Sequence, residues 1–216
     1  MAAAGYPLEV GRISGRPAEN TALVLGPSGV GKTRLVYQTM FNRPPVYAEE
    51  SSTIEFEYPP FVMGARTKVR VTEIGGNDHY RVLVQDKLAD ASLVILVFDA
   101  SNPETIVDLC AYITTNIIEH RPVAILCANK IDLARRAWRD RLSTNQLACL
   151  DILTDEHRQV FSDVVYIETS CTEMAHSSTS RLRDVIACVF VESPGSAAGS
   201  GSESSPREGA PKCVVQ

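Results

Sequence analysis

The sequence has no apolar run long enough to cross a bilayer, and no apolar signal-peptide core stands near its N-terminus. Its six cysteines form no C-x-x-C pair, and most lie in apolar or helical patterns, which favours reduced core thiols in a cytosolic protein. The net charge of −5 gives no electrostatic reason to expect nucleic acid as a partner. For 216 residues, the natural organisation is one domain of about 170 residues followed by a tail.

The most informative motif is the run GPSGVGKT at residues 26–33, which fits G-x-x-x-x-G-K-[ST]. It follows the apolar run ALVL and precedes an amphipathic stretch, so the pattern predicts a strand, a glycine loop and a helix N-terminus. Glycines let successive backbone N–H groups converge on a polyphosphate, and the helix dipole adds partial positive charge. Lys32 would neutralise the β- and γ-phosphates, and the Thr33 hydroxyl would ligate Mg²⁺. The motif predicts binding of a nucleoside di- or triphosphate.

A second motif, Asn129-Lys130-Ile131-Asp132, closes the apolar run at residues 123–127. A carboxylate such as that of Asp132 accepts two parallel hydrogen bonds from the ring N–H and the exocyclic amine of guanine, donors that adenine lacks at those positions. A site that leaves a buried carboxylate half-paired rejects the wrong base by a large factor. The motif ends a buried strand about one hundred residues after the glycine loop, so the predicted nucleotide is GTP or GDP rather than ATP.

The rest of the chain alternates between strand and helix patterns. Residues 93–98 are continuously apolar, as in a parallel strand covered on both faces, whereas residues 68–72 alternate and should pair antiparallel with the segment around 54–56. Asn102 and Pro103 begin a predicted helix, and a last helix has apolar residues at helical spacing from Leu182. These patterns predict an α/β protein with a mostly parallel sheet, helices on both faces, and ligand loops at the carboxyl ends of the strands.

From about residue 22 to 191, the chain resembles the Ras superfamily of small GTPases. The resemblance implies a P-loop NTPase G domain with a six-stranded sheet at residues 21–191, an N-terminal extension at 1–20 and a flexible tail at 192–216. Three further family segments match by position: Ser52-Thr53-Ile54-Glu55, Glu73-Ile74-Gly75-Gly76-Asn77 and Glu168-Thr169-Ser170-Cys171-Thr172. The implied nucleotide-binding residues are Gly26, Ser28, Gly29, Val30, Gly31, Lys32, Thr33, Thr53, Gly76, Asn129, Lys130, Asp132, Ser170, Cys171 and Thr172, and the implied Mg²⁺ ligands are Thr33, Thr53 and Glu73.

The second of these three segments departs from the family pattern D-x-x-G-Q at two positions. Glu73 stands where the family has the aspartate that holds Mg²⁺ through water, and because Mg²⁺ demands tight octahedral geometry we expect weaker or rearranged metal binding. Asn77 stands where the family's longer glutamine orients the attacking water. The resemblance implies that Asn77 and Lys32 are the catalytic residues. Positioning is most of phosphoryl-transfer catalysis, so slow intrinsic GTP hydrolysis is expected. Gly75-Gly76 resembles the Arf branch and residues 26–32 the Rab branch, so the subfamily stays open.

Two loop regions and one arginine-rich run have alternative interpretations. The segments between Gly31 and Thr53 and after Gly76 are predicted to order around the γ-phosphate and Mg²⁺ and to relax after hydrolysis; ordinary surface loops are the alternative. Four arginines surround Trp138, the single tryptophan. We expect a solvated helix face with the tryptophan packed inward, and contact with an acidic partner or anionic lipid is the alternative.

The tail after residue 191 is rich in Ser, Gly, Ala, Pro and Glu, which predicts a flexible linker. It ends in Cys213-Val214-Val215-Gln216, a C-a-a-X box whose final glutamine favours farnesylation of Cys213. The expected partners are a prenyltransferase and the cytosolic face of a membrane, with effectors, an exchange factor and a GTPase-activating protein implied by the resemblance; a monomer is expected. Two functions stay open: a slow, prenylated GTPase switch, or a hydrolysis-deficient module that binds guanine nucleotide constitutively.

Overall fold

The computed structural model describes residues 20–45, 55–58, 61–63, 67–77, 84, 87–88, 90–114, 122–134, 136–154, 161–172 and 176–191. Thr53, Cys213 and the rest of the tail lie outside the described residues. Strands and helices alternate over residues 20–41 and 93–191, as predicted, whereas residues 55–74 contain three successive strands. The strands are β1 Asn20–Leu25, β2 Glu55–Glu57, β3 Phe61–Met63, β4 Thr67–Ile74, β5 Leu93–Asp99, β6 Val123–Asn129 and β7 Asp163–Glu168; the helices are α1 Lys32–Phe41, α2 Glu104–Thr114, α3 Thr144–Thr154 and α4 His176–Val191.

The strands form one sheet in the order β2-β4-β1-β5-β6-β7, with β3 also paired to β4. All neighbouring pairs among β4, β1, β5, β6 and β7 are parallel. The strand β2 runs antiparallel to β4, as predicted for the segment around residues 54–56, and β3, which was not predicted, does so too. The described sheet has seven strands, which corrects the expected count of six. The edge of the sheet is divided into β2 and β3. Glu57 pairs with Thr72 and Phe61 pairs with Val69, so four steps along the edge correspond to three steps along β4, and the edge has one extra residue between these pairs.

The core lies in two layers, one on each face of the sheet. Alternate residues of β5 enter different layers: Val94, Leu96 and Phe98 join one cluster, and Leu93, Ile95 and Val97 join the other. The first cluster packs beneath α2 and α3, and the second beneath α1 and α4. The predicted α/β fold with helices on both faces is therefore confirmed, and β5 is buried along its whole length, as its apolar run indicated.

The arginine-rich run contains a single turn of 3₁₀ helix, Trp138–Arg141. Trp138 is buried with its ring 5.8 Å from that of Phe98, so the tryptophan packs inward as expected. The Arg139 guanidinium lies 4.2 Å above the Tyr166 ring, and its Nη2 is 3.6 Å from an oxygen of Glu168. Arg139 therefore attaches the arginine-rich run to β7 through Tyr166 and Glu168.

The cysteines in the described part of the chain all carry free thiols. Cys110, Cys127, Cys149 and Cys171 are buried and Cys188 is partly buried. Burial is the main cause that raises the pKa of Cys110 to about 12 and that of Cys171 to about 11, so these thiols stay protonated near neutral pH. Across the same residues, no helix is both long and apolar enough to cross a membrane.

Candidate functional site

The glycine loop connects β1 to α1 at the carboxyl edge of the sheet. At Gly26, a Cβ atom would lie 2.2 Å from the carbonyl oxygen of Val97 in β5, so any side chain there displaces the loop. Gly31 has φ of 90°, and a Cβ there would lie 2.7 Å from Nδ2 of Asn129. No side chain caps α1 at Gly31, so the positive end of the helix dipole is available to an anion.

Lys32 is the first residue of α1 and folds back over the loop. Its Nζ donates to the carbonyl oxygens of Gly26, at 2.9 Å, and Pro27, at 3.0 Å. Burial lowers the pKa of Lys32, while the negative charge of Glu73 opposes that effect. Because an ammonium group has three donors, two bonds fix this group at the loop and one donor stays for a phosphate oxygen.

Thr33 and Glu73 meet where α1 begins and β4 ends. The Thr33 hydroxyl donates to Oε1 of Glu73 at 2.8 Å, and the Tyr58 hydroxyl donates to Oε2 at 2.5 Å. Burial, followed by the charge of Glu73, raises the pKa of Tyr58 well above its ordinary range, so the phenol remains a donor. The carboxylate is 9% exposed and is held by one hydroxyl on each oxygen.

Asn129, at the end of β6, joins three segments of the carboxyl edge. Its Nδ2 donates to the carbonyl oxygen of Val30 at 2.9 Å, and its Oδ1 accepts from the Thr169 hydroxyl at 3.2 Å and from Sγ of Cys171 at 3.6 Å. The side chain is almost fully buried, at 1% exposed. Asn129 therefore ties the glycine loop to the residues that follow β7.

Lys130 makes a second connection to the glycine loop. Its backbone is left-handed, with φ of 58°, and its Nζ donates to the carbonyl oxygen of Gly29 at 2.7 Å. The same Nζ lies 2.7 Å from Oδ2 of Asp99, at the end of β5. Burial raises the pKa of Asp99, but hydrogen bonds from Lys130 and Ser101 outweigh it, so the net pKa is lowered. The carboxylate is therefore ionised near neutral pH and holds the lysine in place.

Asp132 and Ser170 lie together on the same side of this edge. The Ser170 hydroxyl donates to Oδ1 of Asp132 at 2.5 Å and lies 3.1 Å from the Thr172 hydroxyl oxygen. The backbone of Ser170 is fixed by the Ser178 hydroxyl in α4, which bonds both its N–H and its carbonyl. Asp132 itself is exposed. An exposed carboxylate with one oxygen held in place suits a ligand that offers two donors side by side.

The structure thus brings together most of the residues predicted for the site. Gly26, Lys32, Thr33 and Glu73 surround one end of the glycine loop; Val30, Asn129, Lys130 and Cys171 surround the other, with Asp132, Ser170 and Thr172 beside it. Ser28 and Gly29 lie exposed on the loop. Gly76 packs on the loop so closely that a Cβ would lie 2.2 Å from the Pro27 carbonyl carbon and from the Ser28 nitrogen, and Asn77 follows on the surface.

Three residues of this edge were missed by sequence reasoning: Tyr58, Asp99 and Thr169. Asp99 ends an apolar strand directly before a polar turn, a position that signals a ligand loop in a parallel sheet. Thr169 is buried with no exposed surface and bonds Asn129; it lies in the predicted segment at residues 168–172, but only the last three residues of that segment were predicted to bind the nucleotide. Tyr58 could have been predicted only from the pairing register of β2 with β4, which brings it beside Glu73 and which the sequence does not specify.

The glycine loop, the parallel sheet and the polar carboxyl edge define the class: a nucleotide-binding protein of the phosphate-loop type. A sequence model of the Ras family matches residues 21–181, and the chain belongs to the Ras family. It is similar to the Ras-related protein Rab-18 of Lymnaea stagnalis, 31% identical over 52% of this chain and 57% of the relative. It is also similar to human Rab-4B, 29% identical over 51% of this chain and 54% of the relative, and to Caenorhabditis elegans Rab-3, 27% identical over 82% and 87%. The chain spans about half the length of the first two relatives.

Proposed function

We propose that this protein is a small GTP-binding switch, which binds GTP or GDP with Mg²⁺ and hydrolyses GTP slowly. The observation that carries the proposal is the double connection of the glycine loop to the N-K-x-D segment. Asn129 binds Val30 and Lys130 binds Gly29, so a phosphate-binding loop and a candidate base-binding loop form one continuous surface. One ligand that has both a polyphosphate and a base would fit this surface.

At the phosphate end, the proposed contacts are the Lys32 ammonium and the backbone N–H groups of the loop and of the first turn of α1. The loop carbonyls of Gly26 and Pro27 already orient the ammonium, so little reorganisation is needed when a polyphosphate binds. At the base end, Asp132 would accept the two donors of guanine, with Ser170 holding the other side of the carboxylate.

The Thr33 and Glu73 pair fits a hard divalent cation. Mg²⁺ prefers oxygen ligands and often binds proteins through one or two side chains, with water and phosphate completing the shell. The Thr33 hydroxyl donates its hydrogen bond to Glu73, so the lone pairs of its oxygen are available to a cation. Among the described residues, no group of three or more His, Cys, Asp and Glu side chains forms a metal cluster. Mg²⁺ bound there would neutralise charge on the phosphates. Thr53, a proposed further ligand, lies outside the described residues.

The proposed catalytic residue, Asn77, follows Gly76, whose backbone packs on the glycine loop. This location supports a role beside the terminal phosphate, where an amide would orient water. Asparagine is one methylene shorter than glutamine, so a slow rate follows from looser positioning. The second candidate function, a binding module that retains GTP, rests on the same two departures, Glu73 and Asn77.

The proposal extends to the tail and the partners. Farnesylation of Cys213 by a prenyltransferase would bring the protein to the cytosolic face of a membrane, reversibly because a single prenyl chain binds weakly. Effectors, an exchange factor and a GTPase-activating protein are the proposed protein partners of the switch. The proposed boundaries are a domain at residues 21–191 with an extension before it and the tail after it.

Single-turnover phosphate release from the full chain loaded with GTP and Mg²⁺ tests the catalytic part. Slow release that Lys32→Ala abolishes and that Lys68→Ala leaves unchanged is the expected result, because Lys68 is exposed on β4. GTP retained without release would support the binding module instead. Failure to bind GTP or GDP at all would contradict both functions.

The base preference has its own test. Asp132→Asn replaces one of the two acceptor oxygens with a donor, so the site would clash with the donors of guanine and suit a base that offers an acceptor there. GDP affinity should fall and xanthosine diphosphate affinity should rise. Equal loss of affinity for both nucleotides would contradict the assignment of Asp132.

A further inference from the structure

The strand register places Tyr58 and Glu73 on one face of the sheet. Phe56 pairs directly with Glu73, and the Tyr58 N–H donates to the carbonyl of Val71 at 2.9 Å. Residues two apart on a strand share a face, so Tyr58 is the diagonal neighbour of Glu73. Diagonal neighbours have Cα atoms about 7–8 Å apart, a distance that only long side chains bridge.

Both side chains of this diagonal are long enough to meet, and their bond is buried. Tyr58 is 3% exposed and Glu73 is 9% exposed, with 2.5 Å between the phenol oxygen and Oε2. An aspartate in place of Glu73 would withdraw its carboxylate by about one C–C bond, roughly 1.5 Å, and would lose this partner. The bond to Tyr58 is therefore coupled to the presence of glutamate at this position.

The ring of Tyr58 is fixed independently of Glu73. It packs edge-on against Phe56 at 4.6 Å and Tyr37 at 5.5 Å between ring centroids, and lies 6.4 Å from Phe41. Because the ring is held by these neighbours, its hydroxyl is a stationary donor. It restricts a glutamate side chain that otherwise has an additional rotatable bond compared with aspartate.

We propose that Tyr58 is a positioning residue for the divalent-cation site. It holds Glu73 in the rotamer that accepts the hydrogen bond of the Thr33 hydroxyl, and so offsets the additional conformational freedom that the extra methylene gives to glutamate. The inference rests on the proposed function, because the cation site serves the nucleotide. Tyr58 acts on the cation site mainly through its bond to Glu73, and its hydroxyl also lies within hydrogen-bonding reach of the Thr33 hydroxyl. Without the Tyr58 hydroxyl, the Glu73 side chain would also populate rotamers that do not bind Thr33, and the Thr33 hydroxyl oxygen would then no longer be oriented toward a cation.

The test measures dissociation of N-methylanthraniloyl-GDP from the full chain as a function of free Mg²⁺, from excess EDTA to saturating Mg²⁺. In Tyr58→Phe, which keeps the ring, we expect the half-saturating Mg²⁺ concentration to rise about tenfold, the effect of one lost hydrogen bond to a charged group. The dissociation rate in EDTA should stay unchanged. Tyr37→Phe is the matched control, since it removes a phenol from the same ring cluster and leaves the bond to Glu73 intact.

A double-mutant cycle with Glu73→Asp distinguishes positioning from general loosening. In the Glu73→Asp background the phenol has no carboxylate within reach and keeps only its contact with Thr33, so adding Tyr58→Phe should shift the Mg²⁺ dependence much less than it does with Glu73 present. Equal shifts of Tyr58→Phe in both backgrounds, or a rise of the EDTA rate alone, would overturn the proposal. An unshifted Mg²⁺ curve in a protein that binds the GDP analogue would refute this inference alone; a wild-type protein that does not bind the analogue would refute the proposed function and the inference with it.

Discussion

Gly26→Ala should damage the glycine loop mainly through a clash with the Val97 carbonyl, to which the strain of a side chain at φ of 156° adds. The methyl group would begin 2.2 Å from the carbonyl oxygen of Val97 and needs a displacement of about 1.2 Å to reach the 3.4 Å of an ordinary contact. Val97 is fully buried in the middle of β5, so the loop must move instead of the strand. Forced backbone shifts of this kind cost about 1–3 kcal/mol, and we expect the upper end because the opposing atom is main chain.

The displacement also has a functional consequence. A loop that moves by more than 1 Å breaks the 2.9 Å bond from Lys32 to the Gly26 carbonyl and frees the ammonium from its position. We therefore expect both a lower melting temperature and weaker GDP binding. For a chain of this length, about 3 kcal/mol corresponds to roughly 6–12 °C.

Gly29→Ala is the matched control within the same loop. Gly29 has φ of 76°, and no atom lies within 4 Å of the position that a methyl group would take there, so only backbone strain of about 1 kcal/mol is expected, roughly 2–4 °C. Thermal unfolding followed by circular dichroism after nucleotide removal compares the two variants. Equal losses in both would refute the steric argument, because they would assign the whole effect to backbone conformation.

Three further predictions concern the edge of the sheet and the tail. Asp99→Asn should lower the unfolding free energy by about 1 kcal/mol at pH 7. Because the pKa of Asp99 is lowered in the folded protein, the loss of unfolding free energy is complete above the pKa of the unfolded chain, near 3.9, and disappears as the pH falls through the folded pKa. Urea unfolding at pH 7 and pH 3 measures this loss, and Asp108→Asn, at an exposed position, is the control. Asn77→Gln should accelerate single-turnover GTP hydrolysis by about tenfold or more, and no change in rate would remove Asn77 from the water-orienting role. Cys213→Ser should move the protein wholly to the soluble fraction in cell fractionation, and an unchanged membrane fraction would count against prenylation.

The sequence was sufficient where function depends on neighbours along the chain. The glycine loop and N-K-x-D are contiguous, and each follows an apolar run, so strand, loop and helix N-terminus were predictable together. The alternation of residues 68–72 also indicated the antiparallel partner correctly. In both cases the pattern lies within one segment, where periodicity and turn chemistry act locally.

Contacts between distant strands were beyond such reasoning. Tyr58 meets Glu73 only because Phe56, and not its neighbour, pairs with Glu73; a slip of one residue would turn the tyrosine to the other face. The divided edge strand depends on one extra residue between Glu57 and Phe61; Pro59 and Pro60 are a local signal of an edge or bulge there, which the sequence reasoning did not use. The ion pair of Asp99 with Lys130 likewise requires β5 and β6 to end at the same level.

The three hydrogen bonds of Asn129 also bear on how long a bound nucleotide would stay in the site. Val30, Thr169 and Cys171 are joined through this one amide, so the proposed base end of the site would lose little conformational entropy on binding guanine. Preorganisation raises affinity by lowering the cost of ordering the site, and differences in affinity are mostly differences in dissociation rate. We expect the proposed guanine-binding end to set the residence time of the nucleotide, and the proposed cation site at Thr33 and Glu73 to set how strongly that time depends on Mg²⁺.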